Sequence, residues 1–174
     1  LYFLTDSIFK QKKKKTISRK AFIKCAAAET FLAWQYYKSK HSNGNILDKK
    51  LEQGEIPPEF FRSMFYTFGD YRDFLFGTDI SKGHGKGSNL ENKIKGVFPN
   101  SDAKTPGNLT RENWSEKNAK DIWKGMICGL THNLRKEQKK KILERHQIPI
   151  PIHLLLASRI LLKNPPIFYA WDGS

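Results

Sequence analysis

The sequence predicts an all-α fold, a bundle of about four helices. Apolar residues recur at three- and four-residue steps in three long segments, the spacing of one face of an α-helix. Those segments are bounded by proline, glycine or polar capping residues, the ordinary signals for helix starts and stops. No run alternates apolar and polar residues with the period of two that a half-buried strand requires.

The elements follow in chain order. Residues 1–17 read as an irregular, basic lead-in that holds the run Lys12 to Lys15, a solvated charge run. A first helix is expected from about Ser18 to His41, apolar on more than one side through Phe22, Cys25, Ala26, Leu32, Ala33, Trp34 and Tyr36, and therefore central. Asn43-Gly44-Asn45 breaks it. Ile56-Pro57-Pro58 opens a second helix, because proline has no N–H to lose in a first turn. Phe60, Phe61, Met64, Phe65, Phe68, Tyr71 and Leu75 give that helix one wide apolar face, and Gly77 ends it. Inside it, Gly69-Asp70-Tyr71-Arg72-Asp73 places a glycine and three charges where the core pattern continues, so the charge must be paired, solvated or used.

The loop Ser81 to Gly87 is rich in glycine, but it lacks the Gly-Lys-Ser/Thr ending and the preceding strand of a phosphate-binding loop, and reads as a flexible connection. Ser88-Asn89-Leu90-Glu91 has the pattern of a capping box and predicts a short helix through Leu90, Ile94 and Val97. After a further loop from Pro99 to Gly107, a helix begins at Thr110 and carries Trp114, Ile122, Trp123, Met126, Ile127 and Leu130. Gly125 and Gly129, four apart, let another helix approach closely. Residues 133–174 form a basic and then apolar tail.

A length of 174 residues suits one domain with a hydrophobic core, and 12 Phe, 6 Tyr and 4 Trp supply the bulk for it. The net charge of +14 would indicate a polyanion binder if it were evenly spread. It is not. Residues 1–20 carry seven Lys/Arg against Asp6, residues 21–132 sixteen against thirteen acids, and residues 133–174 eight against three. The nearly balanced middle is the expected folded core, residues 18–132, and the charge sits at the ends.

The chain begins at Leu1, and LYFLTDSIF lacks the basic leader of a signal peptide, so its start reads as missing. Ile148 to Leu162 is apolar but interrupted by Pro149, Pro151, His153 and Arg159, and falls short of the roughly 20 apolar residues of a membrane span. Cys25 and Cys128 are compatible with a single bridge or with two buried thiols, and do not fix the compartment.

The residues offer little for catalysis. Asp70, Asp73 and Asp79 lie beside Arg72 and read as an ion-paired helix surface rather than an acid/base pair. Glu29, within an apolar stretch of the first helix, calls for a partner such as Arg72. Cys128 and His132 are too few ligands for zinc, so no metal and no cofactor are expected. Asn108-Leu-Thr110 and Asn113-Trp-Ser115 match glycosylation acceptors, a short pattern that often arises by chance. The clusters Lys12–Lys15 and Lys139–Lys141 can attract glycosaminoglycans or nucleic acids, but neither is interleaved with the aromatics that single-stranded nucleic acid stacks on.

Three ordered blocks, FIKCAAAETFLAW (Phe22–Trp34), IPPEFFRSMFYTFGDYRDFLFGTDI (Ile56–Ile80) and NWSEKNAKDIWKGMICGL (Asn113–Leu130), together resemble the middle subdomain of the Duffy-binding-like adhesion domain, most closely that of the variant erythrocyte membrane proteins of malaria parasites. The resemblance implies an all-helical, disulfide-bonded, extracellular module without enzymatic activity. It would bind a host cell surface receptor, protein or sulphated glycan, as part of a larger protein at the surface of the infected red cell. Cys25 matches the family cysteine in its lysine-cysteine-alanine block and Cys128 the one after tryptophan-x-glycine-methionine, so the resemblance implies a Cys25–Cys128 bridge. Closing a loop of about 100 residues, it would add roughly 4–5 kcal/mol in the chain-entropy model.

The departures are specific. Phe74-Leu75-Phe76 stands where the family usually has a cysteine, and the usual tryptophan pair before the last helix is Trp114-Ser115. Residues 1–20 and 133–174 resemble neither flanking subdomain, so the expectation is a partial domain from a truncated or rearranged gene copy, with no receptor-binding residue to carry over. A basic polyanion-binding module acting through its lysine-rich ends is the alternative.

Overall fold

The computed structural model describes residues 19–41, 43–76, 92, 94–96, 98 and 110–147. Five helices run through them: α1 (Arg19–Lys40), α2 (Gly44–Glu52), α3 (Pro58–Phe76), α4 (Arg111–Leu130) and α5 (Lys136–Arg145). No strand occurs among the described residues, and the all-α expectation holds. Residues 94–96 form a further helical turn, with Ile94 and Phe98 buried. The glycine-rich loop, the Ser88–Glu91 capping pattern, the lead-in and the apolar stretch after residue 147 lie outside the described residues.

α1 and α4 form the principal contact. Arg19 pairs with Asp121, Phe31 stacks edge-on against His132 at 5.7 Å, and between them Ile23 faces Gly125 and Ala27 faces Gly129. Residue numbers rise together across these four pairs, so the helices run parallel there. The two glycines are the reason they can: a Cβ on Gly125 would lie 2.7 Å from Ile23 Cγ2 and 3.1 Å from its carbonyl oxygen. A Cβ on Gly129 would fall on the Ala27 carbonyl, 2.7 Å from its carbon. Backbone, unlike a flexible side chain, has nowhere to move.

α3 lies antiparallel to both. Its Phe60 meets Trp34 of α1 at 4.9 Å, while further along Tyr71 and Phe74 meet Phe22 at 6.0 and 6.2 Å. Against α4, Phe65 and Phe68 pack on Trp123 at 4.9 and 5.7 Å. Tilted and edge-to-face pairs of this kind each contribute about 0.5–1.5 kcal/mol beyond area burial. At the other end of α3, the Arg111 guanidinium is buried and donates from Nη1 to the Leu75 carbonyl at 3.3 Å, a cation set against the negative end of the helix. α4 starts where its sequence says it should, with Thr110 Oγ1 accepting the Asn113 N–H at 3.1 Å.

Two helices were not expected. The sequence Asn43-Gly44-Asn45 does break α1, but α2 resumes immediately, because the Asn43 carbonyl accepts the Ile46 and Leu47 N–H groups at 2.9 and 3.2 Å. Lys38 holds both carboxylate oxygens of Asp48 at 2.9 Å, and Leu51 is buried. α2 then ends at Gly54, whose φ of 92° only glycine adopts freely. There Gly54 N–H reaches the Leu51 carbonyl and Glu55 N–H the Lys50 carbonyl, both at 3.0 Å, the paired bonds of a glycine-terminated helix. α5 was hidden by its lysines. Its N-terminus is closed by Gln138 Oε1 accepting the Arg135 N–H at 3.0 Å, and it fastens through Ile142, which is fully buried. The helical body therefore continues past residue 132.

α1 is central but not buried all round: Leu32 and Tyr36 are 50% and 65% exposed. Trp34 turns the opposite side of the helix into the core, where Phe60 of α3 meets it.

Substitutions at three glycines separate close packing from helix propensity. Gly129→Ala and Gly125→Ala are expected to destabilise by about 1–3 kcal/mol through forced separation of α1 and α4. Gly69→Ala, where a Cβ meets nothing within 4 Å, is expected to stabilise by about 0.5–1 kcal/mol. Denaturant midpoints at constant slope measure all three.

Candidate functional site

The charged insert of α3 is resolved into local pairs. The helix passes through Gly69 to Asp73 without a break, Asp70 is exposed, and Arg72 donates to Asp73 at 2.8 Å. This is the ion-paired surface the sequence suggested. Tyr71 turns inward instead, and its hydroxyl donates to Glu29 Oε2 at 2.8 Å. Glu29 thus takes its hydrogen bond from the neighbour of the arginine the sequence proposed. Burial first, then the charge and hydrogen bond of Glu29, push the Tyr71 hydroxyl far above its ordinary range, so it stays a donor at any physiological pH.

Cys25 belongs to the same neighbourhood. It is buried on α1, one turn before Glu29, and burial together with the Glu29 charge pushes its thiol up. A thiol held protonated among apolar groups is a poor nucleophile. Cys128 is exposed on α4. The two cysteines stand in different surroundings, Cys25 in the core and Cys128 open to solvent.

No group of three or more His, Cys, Asp or Glu is arranged to hold a metal ion among the described residues. No described helix is long and apolar enough to cross a membrane. Asn113 is exposed in the first turn of α4, but Trp114 and Ser115 of its acceptor pattern are buried. Asn108, Asp79 and Lys12–Lys15 lie outside the described residues.

Lys139–Lys141 has more structure than a solvated run. Lys139 Nζ donates to the His132 carbonyl at 3.1 Å, the Lys141 stem lies against Gly54, and Lys140 is exposed 3.8 Å from Glu144. Arg145 adds a bond from Nη1 to the Gln53 carbonyl at 3.3 Å. These cations stand at fixed positions on α5.

The described residues form a packed helical body with charged and apolar surface features, and no reaction centre is assembled among them. The family model described as the Duffy binding domain matches residues 3–153. The chain belongs to the Duffy binding domain family. No curated protein and no solved structure matches it. Duffy-binding domains are receptor-binding adhesion modules of extracellular surfaces, not enzymes. The match runs beyond residues 18–132 on both sides and takes in α5, which the three sequence blocks did not reach.

In this Duffy-binding domain the two thiols are expected to differ in reactivity. Without reductant, Cys128 should alkylate in the folded protein and Cys25 only after unfolding. Mass mapping that finds neither cysteine reactive in denaturant would instead establish the bridge implied by resemblance. Tyr71→Phe should cost about 1–2 kcal/mol by denaturant titration, since it leaves the Glu29 carboxylate without this donor.

Proposed function

We propose that this Duffy-binding domain binds a host cell surface receptor, a protein or a sulphated glycan, as one module of a larger adhesin at the surface of an infected red cell. The single observation behind this reading is the family match over residues 3–153. The packed helical body supports it, because adhesion needs a rigid presenting surface and no reacting groups. Leu32 and Tyr36, with Lys40 Nζ 5.2 Å from the Tyr36 ring centre, are the kind of exposed apolar and aromatic groups that anchor protein contacts.

A second reading, binding of polyanions through the lysine-rich segment, is favoured by one observation: α5 presents its cations from a docked helix, on which Lys139 and Arg145 are held by carbonyl contacts. Side chains already ordered lose less entropy on binding. Removing residues 133–174 does not separate the readings, since it would also strip Ile142 from the core. Replacing exposed charges does so.

Cell binding by the full chain, titrated with salt, is the test. If a protein receptor is engaged through the helical core, Lys140→Ala with Lys141→Ala should change affinity by less than about twofold. If polyanions are engaged through α5, the same pair should cost about tenfold or more and reduce the slope of log affinity against log salt by about 2. A chain that is folded by circular dichroism and binds no cells would sink the adhesion reading and leave an inactive copy.

A further inference from the structure

The end of α5 is fastened by a cluster around His146. Its Nε2 lies 3.2 Å from the Gly54 carbonyl oxygen, to which the ring donates in the tautomer that fits. Its backbone carbonyl accepts the Trp123 indole N–H at 2.8 Å, and its ring lies 5.1 Å from that of Phe61. A single residue therefore ties α5 to the α2–α3 turn, to α3 and to α4. The rest of the attachment is thin. Ile142 is the buried residue of α5, Leu143 is partly buried, and most of the remaining side chains are charged and exposed.

The groups facing His146 make its charge state decisive. From α3 and α4 come the neutral rings of Phe61 and Trp123, and from the turn comes the Gly54 carbonyl. From α5 comes the cation of Arg145, whose Nη1 donates to the Gln53 carbonyl at 3.3 Å beside the same turn, while Lys141 lays its aliphatic stem on Gly54. A proton on the imidazole places a second positive charge beside that of Arg145 in this half-buried corner.

We propose that His146 is an acid-sensitive latch: neutral, it pins α5 to the bundle; protonated, it releases α5 and uncovers Phe61 and Trp123. Burial lowers the readiness of the ring to take a proton, Arg145 acts in the same direction, and the Gly54 carbonyl opposes them. The docked form thus titrates below the ordinary value of about 6.5, and the released form near it. The latch contributes fully above about pH 6.5, and its contribution falls as the pH drops through the docked value, because the released state then binds the proton more tightly.

Hydrogen exchange of the full chain at about pH 5 and about pH 7.5, corrected for intrinsic rates, reads the latch directly. Amides of α5 are expected to lose protection at the acid pH while those of α4 keep theirs. Unchanged protection of α5, or loss shared equally by all helices, would overturn the proposal. His146→Gln should abolish the acid step whatever protection it starts from, and a retained step would overturn it equally. His132→Gln, at the Phe31 ring contact, should keep the step; its loss there would refute the assignment to His146.

Discussion

The close approach of α1 and α4 is the contact on which the other helices depend. With Gly125 against Ile23 and Gly129 against the Ala27 backbone, the two axes come nearer than any side chain would allow. Dispersion falls off steeply with distance, so a pair of helices in backbone contact gains attraction along its whole length that a bulkier interface would forfeit. The parallel pair then presents Phe22 and Trp34 of α1 and Trp123 of α4 toward the same side, where α3 lays its aromatic face. Separate α1 from α4, and the aromatic face of α3 has two partners at the wrong spacing.

Trp123 is the second joint. Its ring is nearly fully buried against Phe61, Phe65 and Phe68, and its N–H is satisfied by the His146 carbonyl, so an apolar body and a polar edge fasten two different elements. Below it, Gly54 turns the chain from α2 into α3 in a conformation that glycine supplies, and offers its carbonyl to the same histidine. The short helices α2 and α5 are therefore not decoration on a three-helix core. They meet at one corner of it, through a handful of polar contacts and one buried side chain each, Leu51 and Ile142.

Much of this was legible in the residues, and the failures have physical causes. The long helices were legible because their apolar spacing, Pro57-Pro58 and the Thr110 cap are local signals that need no partner. α2 and α5 were not, because helices of nine or ten residues are marginal alone and hold only through contacts from distant segments. The exposure of Leu32 and Tyr36 was missed for the opposite reason. Their apolar character says that they favour burial, not that a neighbour is present. Glu29 was rightly read as needing a partner, yet only the fold could supply Tyr71, whose ring faces α1 while the adjacent Arg72 turns toward Asp73.

The sequence by itself determined the helical class, the family, and the close helix contact through Gly125 and Gly129, because periodicity, ordered motif blocks and the missing side chain of glycine are properties of the residues. The tertiary structure alone decided where the charges and thiols go. Cys25 and Cys128 sit on neighbouring helices, but the rotation of each helix about its axis turns one thiol into the core and the other to solvent. The same holds for His146, an ordinary residue at the end of a lysine-rich stretch until Gly54, Phe61 and Trp123 close around it. Direction in space depends on packing between segments far apart in the chain, and no local pattern encodes it.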